Sequence, residues 1–75
     1  MGIADPKKME EYVKKLKRRK KELEEEFMNL LNKKEKGEIT DKEYEERKRK
    51  LEREYVEIMD RLTQMSYLMG ESSLF

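Results

Sequence analysis

The chain contains no cysteine and no histidine, and its one proline is Pro6. Without cysteine there is no disulfide and no thiolate metal site. Without histidine the commonest general base and metal ligand is gone. No run of roughly 18 apolar residues is present to cross a bilayer, and the start lacks the charged-then-apolar pattern of a secretory signal. A cytoplasmic protein that does not engage the membrane is therefore expected. Neither sign of charge dominates: 19 Lys and Arg stand against 18 Asp and Glu, a net charge of +1. That balance gives no global attraction to nucleic acid or anionic lipid. Apolar residues are also scarce, at 35% against 49% charged. This is too few for a globular interior but suits long solvated helices with heptad spacing. The 75 residues form one domain at most, near the size where a single core is marginal. The high Lys and Glu content fits a thermophilic source.

The most informative stretch runs from Gly37 to Tyr44. Gly37 can take the left-handed conformation that ends helices. Thr40 is placed as an N-cap, and Glu43 three residues later completes a capping box. Ile39 and Tyr44 occupy the two positions of a hydrophobic staple. A helix stop followed at once by a helix start, between two helical runs of nearly equal length, predicts a hairpin folded about its own middle.

Asp5-Pro6 supplies a cap and a preorganised first turn for helix one, which is expected over 6–36. The turn spans 37–40, helix two spans 41–69, and residues 70–75 form a mobile tail after Gly70. In helix one Met9, Leu16, Leu23 and Leu30 recur every seven residues; Val13, Lys20, Phe27 and Lys34 follow each by four. In helix two Tyr44, Leu51, Ile58 and Met65 repeat, with Lys48, Tyr55, Leu62 and Met69 four later. These are d and a positions of a coiled-coil seam. Folding about Ile39 sets each a residue against a d residue. The predicted layers are Lys34–Tyr44, Leu30–Lys48, Phe27–Leu51, Leu23–Tyr55, Lys20–Ile58, Leu16–Leu62, Val13–Met65 and Met9–Met69. Capping and heptads, two independent signals, give the same fold point. Lys20 interrupts the seam; a lysine there weakens a coil but helps specify its register or partner, or its stem packs while its ammonium reaches water. Glu-before-basic pairs at i,i+4, such as Glu10–Lys14 and Glu43–Arg47, add a few tenths of a kcal/mol each. A rod roughly 45 Å long follows from helices of about thirty residues.

The fold class expected is thus all-α, an antiparallel two-helix coiled-coil hairpin. One seam between two helices buries little surface relative to the chain entropy lost. The apolar stripe is wider than a two-stranded coil requires, as in a bundle helix. Dimerisation into a four-helix bundle, or docking on a larger protein, is therefore expected. The residues assigned to that protein interface are Tyr12, Leu16, Tyr55, Val56, Met59, Leu62, Met65 and Leu68, with Met28 and Leu31 noted beside the seam.

A rival reading uses the basic run Lys14, Lys15, Lys17, Arg18, Arg19 and Lys21 to neutralise phosphates, as in a small nucleic-acid-binding regulator. Against it, Glu22, Glu24, Glu25 and Glu26 follow at once. The run also overlaps the seam and carries no Asn or Gln to read bases. Glu22 and Glu26 share a helix face but lack the His of a di-iron bundle motif. No nucleophile–base pair, phosphate loop or metal spacing is present. A non-catalytic protein with no cofactor, metal or small-molecule substrate is expected. The six methionines suit core filling or an adaptable surface, and Leu74-Phe75 is a candidate short anchor for a partner groove.

The segment from Leu30 to Leu51, with its Gly-x-Ile-Thr turn, acidic pair, aromatic, lysine and leucine, resembles the short C-terminal (SHOCT-like) helical module. Helical gas-vesicle accessory proteins of the G type carry a similar turn. The resemblance covers about a third of the chain and implies a role in oligomerisation or protein contacts.

Overall fold

The turn organises the molecule. In the computed structural model, which describes residues 5–70, two helices run Pro6–Glu35 (α1) and Asp41–Met69 (α2). The expected lead 1–4 and tail 71–75 lie outside the described residues. Asp5 caps α1, its carboxylate accepting from the Lys7 N–H at 3.0 Å. Helix α1 ends one residue earlier than expected, with Lys36 as its cap. There the Glu38 N–H donates to the Lys33 carbonyl (2.9 Å) and the Gly37 N–H to that of Lys34 (3.0 Å). This pair of bonds is a Schellman motif, and it requires the left-handed backbone that Gly37 adopts at φ +74°. Two residues on, Thr40 and Glu43 form a reciprocal capping box, with both bonds at 3.1 Å. The Asn32, Lys33 and Lys34 carbonyls at the end of α1 and the Thr40 and Glu43 N–H groups at the start of α2 are thereby satisfied within a five-residue connection. Helix α2 ends at Gly70, again left-handed at φ +68°.

The helices pack against each other as an antiparallel hairpin measuring 49 × 22 × 15 Å. Its main interior runs from the middle of the rod to the open end, with Leu30 buried separately toward the turn. Val13, Leu16, Leu23, Ile58, Leu62 and Met65 form one buried cluster, with Met9, Leu51, Tyr55 and Met69 packed on it. Leu23 and Leu62 have no accessible surface. Toward the turn the seam changes character. Phe27 meets Tyr55 edge-on, with ring centroids 6.4 Å apart. Nearer the turn, Lys34 places its ammonium 4.4 Å from the Tyr44 ring centroid, and Lys48 lies 5.8 Å from the same ring. The Lys34–Tyr44 layer is the pairing that the fold about residue 39 requires. The aromatic face lets lysines occupy two seam positions there. Lys20 is half-buried.

Candidate interaction face

Two helices side by side present two broad faces, one on each side of the seam. In an antiparallel pair, the positions just before the a residues share one face, and those just after the d residues share the other.

The first face is closed by polar contacts between the helices. Arg19 binds Glu54 through two parallel bonds, Nε to Oε2 at 2.6 Å and Nη2 to Oε1 at 2.9 Å. Its Nη1 also donates to Glu22 at 3.1 Å and lies 3.7 Å from Glu26. The hydrogen bond from Arg19 holds the Glu54 carboxyl below the usual carboxylate range. The same bond, followed by that to Glu22, pushes the guanidinium still further up. One heptad away, Arg61 Nη1 donates to the Tyr12 hydroxyl at 3.0 Å. Tyr12–Arg61 and Arg19–Glu54 are successive rungs, each displaced by seven residues on both helices.

Among the described residues the second face carries no bidentate ion pair like Arg19–Glu54; the polar contact across it is the Tyr55 hydroxyl on Glu24. Leu31 and Met59 lie on it directly, while Met28 and Val56 lie one helical turn from each. Met28 is 60% exposed and Val56 57%, with Leu31 less so and Met59 half-buried against the core. Polar groups nearby are satisfied within the chain: the Thr63 hydroxyl donates to the Met59 carbonyl at 2.9 Å. The Tyr55 hydroxyl donates to Glu24 at 3.1 Å. Partial burial first, and then that bond, push its pKa up.

This arrangement divides the eight residues expected at the interface. Leu16, Leu62 and Met65 are buried between α1 and α2, so their surface is already used inside the chain. Tyr55 and Met59 are half-buried against the same core, and Tyr12 is half-buried on the clamped face. Only Val56 and Leu68 are largely exposed. Leu68 is nine residues from Met59, two and a half turns, so the two point about 180° apart around α2. The single apolar flank expected at the open tips is therefore two separate surfaces. Sequence reading missed Tyr67, which is 88% exposed beside Leu68. It gave too little weight to Met28 and Leu31, whose place one step off the seam was the available signal.

The basic run is divided too. Arg19 is held by three carboxylates. Lys14, Lys17 and Lys21 fall on the open face. Lys15 and Arg18 line two shallow grooves of about 380 and 360 Å³ on the clamped side, shared with Leu16 and Ile58 in one case and Lys8 and Tyr12 in the other. Glu11 and Glu22 stand in the same two linings. Among the described residues no three His, Cys, Asp or Glu side chains are grouped to hold a metal ion, and no helix is long and apolar enough to cross a membrane.

No protein-family model, curated protein or solved structure matches this chain.

Proposed function

We propose that the hairpin is a non-catalytic protein–protein interaction or oligomerisation module acting through its open face. The observation that carries this reading is the set Met28, Leu31 and Val56, exposed on one side of the hairpin from both helices, with Met59 half-buried beside Val56. The chain is short of buried apolar surface, and covering this face would supply more. Exposed apolar side chains set among charges on one face are a feature of contact sites. The hairpin is 49 Å long and 22 Å across, so one of its sides can offer an area on the order of the roughly 800 Å² per partner of a standard interface. The SHOCT-like turn agrees with such a role.

The rival, a nucleic-acid regulator, is weaker on this geometry. Its six cations diverge around α1, and one of them is already neutralised. A filter-binding titration at two salt concentrations separates the two, since phosphate binding must fall steeply with salt. The direct test is sedimentation equilibrium on the wild type and on Val56→Glu and Met28→Glu. The expected result is a mass above one chain that both variants reduce, with helix content retained. Unchanged association in both variants would sink the reading.

A further inference from the structure

The open face is bordered by charges that are sorted along the rod. Toward the open end it carries Lys7, Lys14, Lys17 and Lys21 against Glu10; toward the turn it carries Glu24, Glu35, Glu45 and Glu52 against Lys42 and Arg49. The whole rod shows the same bias. Residues 6–21 and 56–69, the open half, hold ten Lys and Arg against four Asp and Glu, a net +6. Residues 22–55, the turn half, hold nine against twelve, a net −3. The two halves lie end to end on a 49 Å axis, several times the ~8 Å screening length at physiological salt. They therefore attract each other far less within one chain than across an interface.

We infer that the occupant of the open face is a second copy of this chain, packed antiparallel, with the open half of each copy over the turn half of the other. The inference rests on the interaction reading above and adds both partner and orientation. A two-fold axis crossing the middle of the face makes the contact self-complementary, as a closed homodimer requires. It brings Val56 and Met59 of the two copies together near the centre, lays Met28 and Leu31, which sit nearer the turn, over the other copy's open half, and sets each basic half against an acidic one. The alternative two-fold axis, along the rod, stacks +6 on +6 at one end and is opposed by like charge. The product is a four-helix bundle whose two turns lie at opposite ends.

Because the chain has no cysteine, a single spin label on Glu38→Cys, exposed in the turn, reports orientation without further changes. Antiparallel packing separates the two labels by about 40 Å, most of the rod, at 1.5 Å per residue. Parallel packing brings them within about 20 Å, the spacing of adjacent packed helices plus the label arms. A second experiment reads the sign of the electrostatics. Replacing Lys14, Lys17 and Lys21 together by Glu neutralises the open half. The expected effect is a tenfold or greater loss of dimer affinity, and a smaller salt dependence than the wild type shows. In a parallel dimer the same change removes repulsion and tightens association. A short label distance, or tighter dimers in the triple variant, overturns the orientation while the interaction reading stands. A one-chain mass at every concentration overturns the second copy as occupant. Dimers indifferent to Val56→Glu and Met28→Glu refute the face itself.

Discussion

Glu54→Gln keeps the shape of the side chain and removes its charge, which isolates the bidentate bond to Arg19. Both side chains are more than a third exposed, 35% and 41%, so solvent screens the pair. A loss of roughly 0.5–1 kcal/mol is expected, the upper end of the range for exposed ion pairs, because the two bonds are parallel and link the helices. A double-mutant cycle with Arg19→Met, followed by urea melts, measures the coupling. A coupling of zero would show the clamp to be ornamental. The same contacts set the pH limits. The depressed Glu54 and Glu43 carboxyls contribute stability above the ordinary glutamate value of about 4.3, and it is lost as pH falls through their lowered values. The raised Tyr55 phenol works in the opposite direction. Its contribution is present below about 10 and disappears as pH rises through its elevated value. Thermal melts followed by circular dichroism should show a plateau between these limits, with Glu54→Gln flattening the acid shoulder. The Thr40–Glu43 box was legible in the sequence; the contacts between the helices were not. The i,i+4 pattern points to neighbours on one helix, yet of the pairs expected from it the one within reach is Glu43–Arg47 at 4.0 Å. Arg19 reaches a residue 35 positions away because the register, not the local spacing, brings Glu54 alongside.

At the scale of the element, the connection and the seam can be broken separately. A Cβ on Gly37 would meet nothing within 4 Å, so the cost of Gly37→Ala is the left-handed backbone alone, about 1–2 kcal/mol. Gly37→Asn should recover part of it, and Thr40→Ala should cost about 1 kcal/mol through the lost cap. Leu23→Ala and Leu62→Ala remove side chains with no accessible surface and should each cost 2–5 kcal/mol. That is enough to unfold a marginal hairpin. Denaturant midpoints that rank Gly37→Ala above Leu62→Ala in damage would contradict this division. The elements themselves were legible. Pro6, Gly37, Thr40, Glu43 and Gly70 each encode a start or a stop in their own chemistry, and the heptads encode which side faces inward. What the seven-residue pattern does not encode is the depth of each layer. Lys34, Tyr44 and Lys48 hold seam positions as surely as Leu16 and Leu62 do, but they are solvated and aromatic where the leucines are dry.

For the molecule as a whole, the helical periodicity led to an excess of apolar residues, and only the three-dimensional register showed which of them were already spent. Leu16, Leu62 and Met65 close the hairpin, and Met28, Leu31, Val56 and Met59 are left for company. The dry cluster runs from Leu23 and Ile58 at the middle of the rod to Val13 and Met65 toward its open end, away from Gly37. A polypeptide that zips from its bend therefore encounters the half-buried Tyr44 and Lys48 and the buried Leu30 first and its largest gain last. The capped bend must set the pace of folding, while the distant cluster governs how long the folded state survives. In stopped-flow chevrons Gly37→Ala and Thr40→Ala should slow the refolding arm, and Leu16→Ala and Leu62→Ala should accelerate mainly the unfolding arm. The hairpin is hinged at one end and latched at the other, and wear at the latch will show as shorter lifetime rather than slower assembly.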